Sequence, residues 1–593
     1  MRKRIISVLL CLGMVISLLS GCSGNSGSKE GTNQVKNNTG TDTTKENSAT
    51  DDGNKKYKDF ITVDVFDSLA NYQGIQTGWF GKIVKDKFNM ELNIISPNVA
   101  GGGETLYQTR SAAGNLGDLI IYPMSGGKLQ DLVDAGLIAD MKDMMGGKTN
   151  LEKYNDAIQF SNQNNSKTSG IWGIPSEISE NPATQPLGGT TLNFGSYLRW
   201  DLYKQMGYPE MKTMEDLLPV MKQMQDMNIK SDSGKKAYAF SFFKDWDGSF
   251  MNIATTLPQF YGYASTGFLW QSADDSLEPQ STLDDNSLYM RGLKFFYQAN
   301  QMGLVDPEST TQSYDTVYNK YVDGAILWSP WPWLSAGYNS DKHKSEGKLF
   351  DTAGINDLKL YTWGCYAKGN PGVAMMIGSK AKDKERLMDF IDWYYSPEAV
   401  SLTLTGQQGV TWDMTDGQPQ LTDLGYQCMT DPANTDMPQD LGGGKYKDGM
   451  TQLNYTPLSY GEINPNTSFP YDYKLWDSFT QKGLSDIEKD WQTHMNAKNA
   501  VEYFTKNNQV IVSPGSGYST PAEASDITTI RNQINEVIKE YSWRAVFAKD
   551  DKEFNKYIKD MKETALGLGY DKVLEVDKAN AEAQKQARAA VVK

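Results

Sequence analysis

The spacing of apolar residues changes several times along this chain, and each change marks an expected element. From Phe60 to Phe66 apolar and polar side chains alternate, which predicts a strand. Gly74 and Gly78 then flank a short turn, a helix is expected near Trp79 to Phe88, and a second strand over Met90 to Ile95. Asp118 to Tyr122 is short and continuously apolar after its first residue, the pattern of a parallel strand buried on both faces. These elements predict a βαβ beginning and a parallel sheet covered by helices. Further on, Leu288, Leu293, Phe296 and Tyr297 fall near helical spacing within Leu283 to Met302, which stops at Gly303. A longer stripe through Ile527, Ile530, Ile534, Val537, Ile538 and Tyr541 predicts a helix behind Ser525 or Asp526 as N-cap. A second stripe, Phe554, Tyr557, Ile558, Met561 and Ala565, ends near Gly567 and Gly569. The Ala-, Lys- and Gln-rich run from Asp577 to the end predicts a helix prone to fraying.

The apolar pattern is different at the start. Arg2, Lys3 and Arg4 precede an apolar run from Ile5 to Leu19, closed by Leu19-Ser20-Gly21-Cys22. An apolar core of about 15 residues suits an export signal better than a membrane span. The closing tetrapeptide reads as a lipobox, so residues 1–21 are expected to be a removable signal peptide and Cys22 the site of lipidation. An ordinary secretory signal or a single membrane span remains the alternative. The remainder of 22–57 is rich in Ser, Gly, Asn, Thr and Lys and has too little apolar surface to fold. As a tether it would reach roughly 30 Å.

Charge and rare residues narrow the class of function. The formal net charge is −15, which lacks the basic footprint that nucleic-acid binding requires. Only two histidines occur, His343 and His494, which weakens any histidine-based dyad or zinc site. Beyond the N-terminal segment the cysteines are Cys365 and Cys428, and their pairing is left open. Asp245-x-Asp247-Gly248 lacks the downstream acidic ligands of a calcium loop. Gly147-Lys148-Thr149 has Lys142 where a P-loop needs glycine. No cofactor and no metal are expected.

Several local patterns, read in order, carry a resemblance. They are Gly117-Asp118 with its strand to Tyr122, Gly173-Ile174-Pro175-Ser176-Glu177, Tyr197 to Gly207, Asp323-Gly324-Ala325 leading to Pro330-Trp331-Pro332-Trp333, Lys384 to Ala399, and Gly406 to Trp412. Together with the lipobox they resemble the extracellular solute-binding proteins that serve carbohydrate ABC importers, in particular the large lipoprotein members, over about residues 58 to 593. The resemblance implies an α/β, two-lobed periplasmic-binding-protein-like (type II) fold with hinge strands and a helical C-terminal extension. Lobe 1 is expected to comprise 58–180 plus 372–412, and lobe 2 181–371 plus 413–593. Crossings are expected near Gly173 to Asn181, near Tyr361 to Pro371 and shortly after Trp412. The implied protein is a lipid-anchored monomer at the outer face of the cell membrane, with an oligosaccharide ligand, ABC permease subunits as partners and no catalysis.

A sugar offers an apolar C–H face to aromatic rings and hydroxyls to carboxylates, amides and Arg. Trp331 matches the family's Pro-Trp-x-Trp stacking position. Tyr122 and Ser125 stand where the family offers an aromatic to the cleft, and Trp246 with Asp247 match a region of lobe 2 supplying a ring and an acid. Trp363 and Trp412 lie beside expected crossings. Glu177 follows the first crossing strand, and Asn71 and Tyr72 follow the first strand at its carboxyl end, where α/β sheets place ligands. Arg199 is either a ligand contact or an interlobe salt bridge. Two other classes stay open: a surface glycoside hydrolase, which needs two carboxylates about 5 to 10 Å apart, and a carbohydrate-binding adhesin or sensor component.

Overall fold

The computed structural model describes residues 56–592 apart from 101–102, 190–191 and 522. The signal segment, Cys22 and almost all of the tether lie outside the described residues. Among the described residues no helix is long and apolar enough to cross a membrane.

The alternating segment after Phe60 forms the strand Ile61–Asp67, central in a six-stranded sheet. It pairs in parallel with Met90–Ile95 on one side and Leu119–Tyr122 on the other. The helix Gly78–Phe88 buries Trp79, Phe80, Val84 and Phe88, and ends where Asn89 turns left-handed and returns its N–H to Lys85 O. The sheet is mixed rather than parallel throughout. Asn370–Ile377 runs antiparallel to both Leu119–Tyr122 and Ile174–Ser176, and Gly74–Ile75 is antiparallel to Met90–Ile95. The cause is connectivity: the chain enters Asn370–Ile377 from a returning crossing and not through a covering helix, so no βαβ unit imposes its direction.

Two large cores divide the body. One joins residues from Val63 to Ile178 with residues from Met375 to Tyr471, supplemented by a smaller cluster around Phe66, Leu116 and Met376. The other joins Leu192 to Tyr361 with Ile487 to Ala581. Chain crossings therefore fall between Ile178 and Leu192, between Tyr361 and Ala374, and between Tyr471 and Ile487. The third of these corrects the expected boundary. Residues 423–471 pack in the first core, where Tyr446 stacks on Trp79 with ring centres 5.5 Å apart and Tyr455 donates its hydroxyl to Ile174 O. This stretch is rich in Gly, Asp and Thr, and its apolar residues follow no helical or strand period.

In the second core the helix Leu288–Gln301 starts later than its apolar pattern, because Ser287 accepts the N–H of Met290 and caps it. Helix Ser525–Val546 begins one residue before the expected caps, after Ala524, which makes no side-chain cap. Tyr289 and Ser542 join these two helices through a 2.8 Å hydroxyl–hydroxyl bond. Asp551–Leu568 follows, stopped by Gly569 at φ 102°, and the last helix, Tyr570–Val592, starts at Tyr570 and not at Asp577. It is held by Arg588, 2% exposed, whose guanidinium grips both oxygens of Asp275.

The first two crossings bond to each other and to nearby segments, forming a hinge. Glu177 and Ile178 donate their N–H groups to Thr456 and Pro457, and Ser179 donates to Tyr366 O. Gly364 donates to Ser513 O, and Gly515 to Ala183 O. Beyond Gly515 a strap, residues 516–521, runs against the first lobe, where Ser519 Oγ accepts the N–H of Gly126 at 2.9 Å.

Candidate functional site

The strand Trp328–Ser329 pairs with Tyr197–Arg199 and delivers Pro330 and Trp331 to the start of the short helix Pro332–Ala336. Ser329 Oγ accepts the Trp331 N–H and donates to Trp331 O, which fixes this corner. Six rings gather here. Trp246 stacks on Tyr314 at 4.7 Å, meets Trp331 edge-on at 5.7 Å and packs against Phe243 at 4.9 Å. Trp331 stacks on Trp333 at 6.3 Å, and Tyr314 on Tyr318 at 6.1 Å. Trp331 itself is only 6% exposed, whereas Trp246 and Trp333 are 39% and 45% exposed. Trp331 is thus the supporting ring, and its neighbours turn their faces outward.

Asp245 and Asp247 hold this cluster in place. Asp245 accepts the N–H of Tyr314 at the start of helix Tyr314–Val322. Asp247 takes the Asn252 N–H on one oxygen and the Trp543 indole N–H on the other, while burial pushes its carboxyl above the ordinary range. Both oxygens of Asp247 are therefore committed within the chain.

A second group of rings stands at the crossings. Trp363, 37% exposed at the end of the strand Leu360–Trp363, packs edge-on against Tyr361 at 5.0 Å and tilted against Phe194 at 6.5 Å. Phe194 is followed by Gly195, whose N–H is donated to Pro330 O. The backbone thus links the Trp363 group directly to the corner that carries Trp331. Beside the hinge, Glu177 sits at φ 49° and accepts the Asn370 amide N–H at 2.6 Å.

On the first lobe, Asn71 is exposed after the central strand. Tyr72 turns its hydroxyl back onto Ile75 O. Tyr122 lies flat against Tyr107 at 5.0 Å, with Lys128 Nζ 5.1 Å from its ring centre. Ser125 donates its N–H to Pro371 O. Asp67, at the carboxyl end of the same central strand, is fully buried. It accepts N–H groups from Asn454 and Leu69, yet burial with no cation beside it pushes its carboxyl up to about 6.

Two expected site residues lie elsewhere. Arg199 is buried in the second core, bidentate to Asp201 at 2.9 and 2.7 Å with its guanidinium 4.4 Å from the Tyr338 ring centre. Its partner is two residues away in the same lobe, so it forms no interlobe bridge. Trp412 is 3% exposed, donates its indole N–H to Gly406 O, and packs with Tyr473 and Trp476 against the first lobe. It borders a separate cavity of about 560 Å³ near Glu398 and Asn464. It stands by no crossing, because the chain stays with the first core for another sixty residues or so, to Tyr471.

Trp333, Tyr314, Tyr318, Phe194, Asn370, Asp67 and Ser519 were not singled out by the sequence pattern. Only Trp333 had a local signal, as the second Trp of Pro330-Trp331-Pro332-Trp333. Cys365 and Cys428 are both buried free thiols. His343 is held between Tyr338 O and Asp232. Among the described residues no group of three or more His, Cys, Asp or Glu side chains could hold a metal ion.

No protein-family model matches the sequence, and no curated protein matches it. Solved structures do. A protein described as an HMO-binding, ABC-transporter-associated solute-binding protein from Bifidobacterium longum infantis aligns at TM-score 0.56 and 14% identity, covering 90% of this chain and 100% of that one. The alginate-binding protein AlgQ2 aligns at TM-score 0.54 and 14% identity, covering 88% of this chain and 98% of that one. The chain has the two-lobed fold of ABC-transporter solute-binding proteins. The S. pneumoniae ABC-transporter substrate-binding protein FusA, solved with kestose, shares this fold at TM-score 0.54 and 16% identity, covering 88% of this chain and all of that one. In this fold the crossings at Ile178–Leu192, Tyr361–Ala374 and Tyr471–Ile487 join the two lobes.

Proposed function

We propose that the protein captures a carbohydrate, specifically an oligosaccharide, between its two lobes and delivers it to an ABC permease. The observation that carries this reading is the pair of outward-facing tryptophans, Trp246 and Trp333, on a supporting Trp331, continued through Phe194 to Trp363 at the hinge. Exposed, mutually braced indoles are unusual on a soluble surface and suit the apolar face of a pyranose or furanose ring. Support also comes from the fold, since structures sharing it are described as binding alginate, HMO and kestose.

In this reading Trp246, Trp333 and Trp363 stack on sugar rings, with Trp331 beneath the first two. Glu177, Asn370, Asn71 and Ser125 meet hydroxyls from the hinge and the first lobe, and Tyr122, stacked on Tyr107, offers its ring beside Ser125. Asp247 orients the Trp246 loop. Ligand touching both lobes favours the closed arrangement, which the permease reads. Cys22, lipidated at the lipobox, would hold the monomeric receptor at the outer face of the membrane. The reading is non-catalytic, in keeping with the solved structures that share the fold, which are described as binding proteins.

A thermal-shift screen against neutral and acidic oligosaccharides, followed by calorimetry and product analysis, tests it. A ligand at 100 times its Kd adds about 2.7 kcal/mol of stability. The expected result is a stabilising sugar recovered intact, with Trp246→Ala weakening it at least about tenfold while melting near the parent. Cleavage products would replace receptor with enzyme, and no shift by any sugar would remove the carbohydrate assignment.

A further inference from the structure

A cavity of about 600 Å³ lies between the strap, the hairpin that carries Ser265 and Thr266, and the last helices. Ser249, on the loop that holds Trp246, forms one wall, and Thr520 of the strap and Asn580 of the last helix form others. At its base Arg531 lies between two carboxylates. It binds Glu523 at 3.0 and 2.6 Å and Asp577 at 3.1 and 2.7 Å, and Asp577, 1% exposed, also accepts the N–H of Phe268. Those bonds engage four of the five guanidinium N–H groups, leaving one on Nη1. The side chains of Ser249, Thr520 and Asn580 make no hydrogen bond among the described residues.

We propose that this cavity is an accessory subsite for one neutral sugar residue of a longer glycan, extending the aromatic site of the second lobe. The proposal rests on the carbohydrate reading above. Three features point to a neutral polyol. Hydroxyls, an amide and a spare guanidinium N–H offer both donors and acceptors, as sugar hydroxyls require. Two carboxylates against one guanidinium leave an excess of negative charge, which opposes a uronate or sulfated unit. Ser249 is three residues from Trp246, so this wall stands within about 11 Å of the Trp246 backbone, a separation that a longer glycan stacked on that indole can span. The strap adds a consequence. Ser519, next to Thr520, bonds to Gly126 of the first lobe, so a residue seated in the cavity touches the segment that bridges the lobes.

Asn580→Trp and Thr520→Trp fill the cavity from different walls, and Thr520 is exposed, so its replacement leaves the core intact. Labelled full chains, parent and variants, are applied to an array of neutral glycans of increasing length, with calorimetry on the shortest and longest ligands. The expected result is near-parental affinity for the shortest ligand and a loss of about tenfold or more for the longest, in both variants. Parental binding at every length by Thr520→Trp, or an equal loss at every length, overturns the subsite while the receptor reading stands. Binding of no glycan by the parent chain overturns both.

Discussion

Asp67 shows what burial does to a single carboxyl in this protein. It is fully enclosed at the end of the central strand, and the two N–H groups it accepts do not offset the loss of water. Its folded-state value, about 6, lies above its ordinary value of 3.8, so between these limits the folded chain binds the extra proton. Its contribution is favourable at low pH and is lost as pH rises through 6. Between pH 5 and pH 7 the parent should therefore lose about 1 kcal/mol relative to Asp67→Asn, read from urea unfolding at both pH values. Identical pH slopes in the two proteins would show that Asp67 is ionised in the fold throughout. Asp247 and Trp331 make a related point: the type of side chain was legible in the sequence, but its burial and its bonding partners depend on neighbours distant along the chain.

Among the elements, the last helix departs most from its composition. Tyr570–Val592 is rich in Ala, Lys and Gln, which alone suggests fraying, yet it buries Tyr570, Val573, Leu574 and Ala581 and anchors its end through Arg588 and Asp275. Breaking a buried pair by removing one partner costs about 3 kcal/mol or more. Arg588→Ala should destabilise the body by roughly that amount in denaturant unfolding, and a surface control, Lys585→Ala, by no more than about 0.5 kcal/mol. Equal effects would mean the helix end contributes nothing. Amphipathic helices such as Ser525–Val546 and Leu288–Gln301 were legible because their stripes are periodic. The stretch 423–471 was not, because Tyr446 and Tyr455 are packed by loops whose course no local period records.

For the whole molecule, three crossings and a strap join the two lobes. The strap's bond from Gly126 to Ser519 is a direct contact between the first lobe and the segment that leads into the C-terminal helices. On the proposed function, ligand should compact the molecule, seen as a smaller radius of gyration in solution scattering. Ser519→Ala should leave the fold intact and shift the ligand-free protein toward the more open form by up to about 1 kcal/mol, the worth of one hydrogen bond. Scattering curves unchanged by ligand would argue against closure, and a Ser519→Ala curve identical to the parent would show that the strap does not hold the lobes.

By itself the sequence determined the first βαβ strands, the periodic helices and the α/β class. These depend on side chains a few residues apart, and the 2.0 and 3.6 periods record such relations directly. It also marked the Trp-rich corner, because Pro330-Trp331-Pro332-Trp333 is contiguous. Tertiary structure alone decided which rings face outward, that Arg199 and Trp412 turn to partners inside their own lobes, that the last sheet strand reverses, and where the third crossing falls. Most of these rest on contacts between segments dozens to hundreds of residues apart, such as Arg199 with Tyr338, Trp543 with Asp247 or Ser519 with Gly126. Free energy there comes from burial and hydrogen bonding that form only once the cores have assembled, and no local pattern carries it.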